Sequence, residues 1–183
     1  YSNDGIEYNY KVSKNSFFQT NPFVAQKVFD AVKSLLKANS TILDAYGGVG
    51  TIGIFLNTLA KRITLVEECE SAIIDAKTNF KLNGCKNYEV FLGDAKKIFK
   101  DFLKSRKKFD YAVIDPPRKG SDKESLDSLS KLANAIVYVS CNPATLMRDA
   151  KILNDFGFKL KTLQGADMFP YTHHIESIAY FEK

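Results

Sequence analysis

Leu43-Asp44-Ala45-Tyr46-Gly47-Gly48-Val49-Gly50-Thr51-Ile52-Gly53 is the stretch whose reading decides the fold. The apolar run Thr41 to Ala45 reads as a strand. The glycines after it let the backbone turn tightly into a helix and approach a ligand at distances a Cβ would obstruct. Residues 48 to 53 spell GxGxxG, a dinucleotide fingerprint that is weak alone. A second apolar run ends at Val66-Glu67, about 20 residues on, the register at which a carboxylate accepts hydrogen bonds from ribose hydroxyls. The plainer reading of Glu67 is a solvated strand-end carboxylate.

Working outward, strand and helix signals alternate. Strands are predicted near Thr41–Ala45, Arg62–Glu67, Tyr88–Leu92, Phe109–Asp115, Ala135–Ser140, Lys159–Asp167 and Ser177–Glu182. Helices are predicted over Gly50–Ala60, Cys69–Asn83, Ala95–Lys104, Lys123–Leu132 and Pro143–Phe156. Before them, Ile6 to Phe18 reads as an extended or hairpin-like lead-in, and Asn21-Pro22 starts a helix to about Lys37, with proline in its first turn. Such alternation predicts an α/β fold, a mostly parallel sheet with helices on both faces. No helix separates the last two strands, so they should form an antiparallel hairpin at one edge. Seven strands ending this way resemble the Rossmann-like class I fold of S-adenosylmethionine-dependent methyltransferases.

Composition bounds the function classes. A chain of 183 residues, 45% hydrophobic and 26% charged, suits one globular domain. Residues 1–40 would form the lead-in and its helix, and 41–183 the core. No run approaches the ~18 apolar residues of a membrane span and no signal segment is visible, which points to the cytoplasm. Three widely spaced cysteines argue against a disulfide framework, and two histidines without a ligand-spaced partner make no metal site. The net charge of +5 permits an anionic partner. The densest basic run, Lys96 to Lys108, is equally a solvated helix face. Tyr1 stands where an initiator methionine would, so the chain is expected to be a piece of something longer.

Two further segments carry chemistry. In Val139-Ser140-Cys141-Asn142-Pro143 a cysteine sits where a strand gives way to a proline-started helix, at the crest of a sheet where ligand sites gather. Cys141 is therefore a nucleophile candidate, though free cysteines are often mere packing. In Val113-Ile114-Asp115-Pro116-Pro117-Arg118-Lys119-Gly120 the double proline stiffens the strand exit and holds Asp115 at the carboxyl edge. Arg118 and Lys119 suit a phosphate oxygen or solvent. Asp94, in Leu92-Gly93-Asp94-Ala95, is either an adenine neighbour or a plain N-cap.

Four segments together resemble the catalytic domain of the RNA uracil-5-methyltransferases, which make 5-methyluridine in tRNA and ribosomal RNA. They are Phe17-Phe18-Gln19-Thr20-Asn21, the Asp115 to Gly120 run, Ser140 to Leu146 with Arg148-Asp149, and Asp167 to Glu176. The resemblance implies S-adenosylmethionine as cofactor, held by Gln19, Tyr46, Thr51, Glu67, Asp94 and Asp115. It implies Cys141 as the nucleophile that adds to carbon 6 of uracil, and Glu176 as the base that takes the proton from carbon 5. The partner would be an RNA presenting a flipped uridine. Phe17 and Phe18 would pack the lead-in onto the sheet. The dipole of the Pro143 helix, with Arg148, would favour the Cys141 thiolate. Arg148 beside Asp149 is equally a surface ion pair. His173 and His174 are candidates for proton transfer or for scaffolding. Tyr171 departs from the family, many of whose members carry a smaller or imidazole side chain there. The N-terminal RNA-binding portions common in the family, an OB-like domain and in some an iron–sulfur cluster, are not in this sequence. The runner-up readings are a nicotinamide-dependent oxidoreductase, on the GxGxxG pattern, and a non-catalytic RNA-binding relic of the same fold.

Overall fold

The computed structural model describes residues 2–3, 6–14, 16, 18–19, 21–172 and 174–183. Two short strands, β1 (Ser2–Asn3) and β2 (Ile6–Glu7), pair antiparallel and precede α1 (Pro22–Ser34). The core follows as β3 (Ser40–Ala45), α2 (Thr51–Leu56), β4 (Ala60–Glu67), α3 (Glu70–Leu82), β5 (Tyr88–Leu92), α4 (Ala95–Lys104) and β6 (Phe109–Ile114). It closes with α5 (Lys123–Leu132), β7 (Ala133–Ser140), α6 (Pro143–Asp155), β8 (Lys159–Ala166) and β9 (Glu176–Glu182). The seven-stranded sheet has the order β5-β4-β3-β6-β7-β9-β8. Every pairing is parallel except those of β9, which runs against both β7 and β8.

The elements form where local chemistry starts and stops them. Asn21 caps α1 through its side chain on the Val24 N–H (3.2 Å), and Ala25, Val28, Phe29 and Val32 bury one stripe of that helix. Asp94, Asp122 and Asn142 cap α4, α5 and α6 in the same way. Helix α2 is shorter than predicted, ending at Leu56 and not Ala60. Ala60 already pairs with Ser40 in the sheet, and the strand ladder overrides helix propensity there. Helix α1 likewise stops at Ser34, three residues before Lys37, and leads to the turn that opens β3.

Two apolar layers flank the sheet. Helices α1, α2 and α3 cover one face through residues such as Phe29, Phe55 and Phe80, against Ile42, Leu65, Val113 and Val137. Helices α4, α5 and α6 cover the other through Phe99, Leu129 and Leu153, against Leu43, Ala112 and Ile136. Each fully buried side chain of this size contributes roughly 1.5–3 kcal/mol. The Lys96 to Lys108 run is largely spoken for by acids: Lys96 and Lys100 reach Glu124 (3.0 and 2.9 Å), Lys104 reaches Asp101 (2.8 Å), and Lys107 pairs with Glu89. No helix among the described residues is long and apolar enough to cross a membrane.

Candidate active site

The chain leaves β3 in both directions across the sheet, first to β4 and β5, then back to β6 and β7. Such a switch point opens a crevice at the carboxyl ends of the strands. Strand register decides what faces it. Asp44 aligns with Leu65 of β4 and Val113 of β6, Val113 with Val137 of β7, and Val137 with Tyr180 of β9. Side chains alternate with period 2. Glu67, Asp115, Cys141 and Glu176 therefore share the face of Asp44, the one carrying α1 to α3. The β7–β9 ladder ends at Ser140 opposite Ser177, so its next step sets Cys141 opposite Glu176. Because β9 is antiparallel, its first residue arrives at the edge where the parallel strands finish.

The glycine loop is built on two carboxylates. Asp44 is 1% exposed and accepts the Gly53 N–H (2.9 Å). Burial pushes its pKa up to about 7, the Gly53 N–H opposes this, and Glu67 adds repulsion. A Cβ on Gly53 would lie 2.7 Å from Asp44 Oδ2, and one on Gly47 would lie 2.8 Å from Leu65. Glu67 accepts the Gly48 N–H at Oε2 (3.0 Å) and the Cys69 N–H at Oε1 (2.8 Å), and each oxygen keeps a second lone pair. Tyr46 has φ 61, a left-handed conformation that a bulky residue adopts only when its surroundings enforce it.

Tyr46 lines two neighbouring cavities. One, of about 550 Å³, is also lined by Glu67, Asp94, Pro117 and Ser121. The other, of about 40 Å³, is lined by Gln19, Gly48, Thr51 and Asp115. All six residues assigned to the cofactor by resemblance thus line one or the other. Asp94 is at the same time an N-cap, with Oδ1 on the Lys97 N–H (3.0 Å), so the plain alternative holds for one of its oxygens.

A buried network fixes the Tyr46 ring. Its hydroxyl meets Ser121 Oγ (3.1 Å), the Ser121 N–H donates to Asp149 Oδ2 (2.8 Å), and Tyr138 donates to the same oxygen (2.6 Å). Arg148 Nε donates to Asp149 Oδ1 (2.8 Å), and its guanidinium also reaches the carbonyls of Lys119 and Ser121 (2.9 and 3.2 Å). Arg148 therefore clamps the 115–121 loop onto α6, and Arg148-Asp149 do form an ion pair, but with Asp149 wholly buried and not at the surface as expected. A Cβ on Gly120 (φ 76) would fall 2.6 Å from Asp149 Oδ2, which explains glycine there.

The reacting end carries little hydrogen bonding. Among the described residues neither the Asp115 nor the Glu176 carboxylate receives a hydrogen bond. Glu176 is 4% exposed, and burial pushes its pKa up to about 7. Burial, then the charges of Glu176 and Asp44, push Asp115 up to about 8. The Cys141 thiol is raised, not lowered as the helix dipole led one to expect. Burial and the carboxylates of Glu176 and Asp115 outweigh the opposing charge of Arg118. Arg118 is held by its carbonyl, on Asn142 Nδ2 (3.2 Å) and Thr145 Oγ1 (3.3 Å). Three crowded acids would gain from a cationic ligand, and the Cys141 thiol lies within electrostatic reach of Glu176, a carboxyl able to exchange a proton near neutrality.

Of the remaining candidates, Phe17, Thr20 and His173 lie outside the described residues. Phe18 packs on Tyr10 (ring centroids 5.7 Å apart), and His174 meets the edge of Phe169 (6.1 Å). Tyr171, with φ 68, is fully exposed. Asn21, besides capping α1, donates to the Met168 carbonyl (3.1 Å) and ties the lead-in to the loop before β9. Asp44 carried no role in the sequence reading, although a lone acid inside an apolar strand was its signal. Among the described residues no group of three His, Cys, Asp or Glu is placed to hold a metal ion.

Residues 2–183 match the family model described as tRNA (Uracil-5-)-methyltransferase. An uncharacterized RNA methyltransferase of Halalkalibacterium halodurans is 42% identical over 176 residues, covering 94% of this chain and 38% of the relative. One of Oceanobacillus iheyensis is 42% identical over 175 residues, 93% of this chain and 38% of that protein. The chain thus spans well under half the length of these relatives. Among solved structures, the Pyrococcus abyssi tRNA (uracil-54, C5)-methyltransferase in complex with S-adenosyl-L-homocysteine superposes with a TM-score of 0.84 at 34% identity. That match covers 96% of this chain and 42% of the other.

Proposed function

We propose a methyl transfer to RNA for this chain, which belongs to the tRNA (uracil-5-)-methyltransferase family. Residues 1–183 would act as one catalytic domain that methylates carbon 5 of a uridine in tRNA or ribosomal RNA. Membership in the family sets aside the nicotinamide reading of Gly48 to Gly53. The reading is supported by the β7–β9 ladder, which ends at Ser140 opposite Ser177 one residue short of Cys141 and Glu176, and by the charges of Glu176 and Asp115 acting on the Cys141 thiol.

The residues fit the cofactor that the family implies. The larger cavity offers Glu67 and Asp94 to ribose and adenine, and the smaller offers Gln19, Thr51 and Asp115 to the amino-acid end, with Tyr46 between. Acids that lack a counter-cation are the groups a sulfonium and an ammonium would neutralise. Bound there, S-adenosylmethionine supplies an electrophilic methyl group.

Carbon 5 of uracil is too weak a nucleophile to take that methyl unaided. A uridine stacked in a helix cannot offer its ring edge to a thiol, so the base must first rotate out. The Cys141 thiolate then adds to carbon 6, and its electron pair makes carbon 5 an enolate carbon. After methylation carbon 5 still carries its hydrogen. Glu176 removes that proton, the carbon 5–carbon 6 double bond re-forms, and the carbon–sulfur bond breaks to release Cys141. Arg118 opposes the carboxylates while the sulfur is anionic.

RNA carrying 5-fluorouridine tests the route, because the fluorine blocks the final proton removal. Incubation with S-adenosylmethionine should leave a protein–RNA adduct that survives denaturation, absent in Cys141→Ala. Methyl transfer by Cys141→Ala would exclude the covalent path, and a folded chain that methylates no RNA would favour the non-catalytic relic.

A further inference from the structure

The segment between β2 and α1 has no regular secondary structure across Tyr8 to Ser13, yet helix α3 holds its backbone at every second residue. Asn9 donates its N–H to Asn83 Oδ1 (3.0 Å) and accepts from Asn83 Nδ2 (2.8 Å). Lys11 repeats the pattern with Asn79, at 2.7 and 2.9 Å. The Ser13 N–H donates to Asp75 (2.6 Å), and the hydroxyls of Ser13 and Ser16 reach the same carboxylate (2.9 and 3.0 Å). Two residues of extended chain advance about 6.7 Å and four residues of helix about 6 Å, so rungs at 9, 11 and 13 match 83, 79 and 75. Asp75 and Asn79 are wholly buried beneath this strap.

The middle rung does more than hold the strap. Asn79 Nδ2 also donates to the Val49 carbonyl of the glycine loop (3.0 Å). One residue away on the strap, Tyr10 donates its hydroxyl to the Thr51 carbonyl (3.3 Å). Two cross-links therefore join the strap to the loop, and the strap leads on to Gln19 at the smaller cavity.

We propose that Asn79 is a positioning residue that makes docking of the strap and closing of the glycine loop around the cofactor a single event. The ligand orders the strap, and the strap sets the ligand's affinity. This inference rests on the cofactor reading given above.

The test is amide hydrogen exchange of the 183-residue chain with and without S-adenosylhomocysteine, together with calorimetric affinities. The ligand should slow exchange at Lys11 and Ser13 of the wild type as well as at the glycine loop. Loss of the three hydrogen bonds of the Asn79 side chain in Asn79→Ala should weaken binding about tenfold or more and abolish ligand-dependent slowing at Ser13. Tyr10→Phe, which keeps every rung, should weaken binding about threefold, and Asn83→Ala, at the far rung, less than about twofold. Wild-type affinity in Asn79→Ala and Tyr10→Phe would overturn the proposal. So would protection of Gly48 and Gly50 with no change at Lys11 and Ser13. Should Asn79→Ala fail to fold, Tyr10→Phe and the wild-type exchange decide. A folded wild type that takes up no S-adenosylhomocysteine would sink the cofactor reading as well, whereas a wild type that binds beside unaffected variants sinks the coupling alone.

Discussion

At the ends of β3 and β4 the carboxylates of Asp44 and Glu67 accept backbone N–H groups of the glycine loop, whereas at the ends of β6 and β9 those of Asp115 and Glu176 accept none among the described residues. The first pair shapes the loop through backbone hydrogen bonds. The second pair is held under repulsion and desolvation, and its charge is completed by what enters. Carboxylates engaged by backbone N–H groups fix the shape of the loop, and acids without such partners favour a cationic ligand. One half of the crevice thus supplies shape and the other supplies charge.

The comparison breaks first at the reacting end. Cys141→Ala should lower turnover on RNA by about 10⁴-fold or more, read as methyl incorporation, with the sheet intact by circular dichroism. Glu176→Gln should cost about 10²–10⁴-fold, and unlike the cysteine variant it should accumulate the covalent adduct on unmodified RNA. Asp115→Asn should weaken S-adenosylmethionine by about tenfold and S-adenosylhomocysteine by less, since the latter lacks the sulfonium charge.

The same acids predict a pH signature. With folded pKa values of about 7 for Asp44 and Glu176 and about 8 for Asp115, against about 4 for unfolded carboxyls, the folded chain holds more protons between roughly pH 4 and 8. Stability of the free protein should therefore fall as pH rises through that window. Asp115→Asn should raise the melting temperature at pH 8 by a few degrees and leave it nearly unchanged at pH 4. S-adenosylmethionine affinity should rise from pH 6 to 8.5, with release of protons measurable by calorimetry in buffers of different ionisation heat. The smallest effect belongs to the preorganised half. Glu67→Gln should weaken both ligands about equally, by roughly threefold to tenfold, because it loses charge-assisted bonds and keeps an acceptor.

Much of this was legible in the chain. The limits of β5, α4 and α5 follow from Leu92-Gly93-Asp94 and from Ser121-Asp122, because cap and turn chemistry is local. Cys141 and Glu176 stood out as residues but their proximity did not, since it follows from the register of strands separated by α6 and β8. The thiol's environment was misjudged for the same reason: a helix dipole is visible in sequence, and two carboxylates folding in from β6 and β9 are not. The strap was the least legible part. Asp75, Asn79 and Asn83 fall at i, i+4 and i+8, a polar stripe on α3 that looks like a solvated face until another segment covers it.

The reversed direction of β9 carries a consequence for folding fidelity. A slip of one residue against β7 would turn Glu176 toward the helices α4 to α6 and shift β8 or its pairing, while leaving β3 to β7 correctly paired. Such a molecule would keep its helix content and its glycine loop yet lack the base proposed for proton removal. On the proposed role of Glu176, turnover would report the native register of β9 more strictly than spectroscopy or ligand uptake.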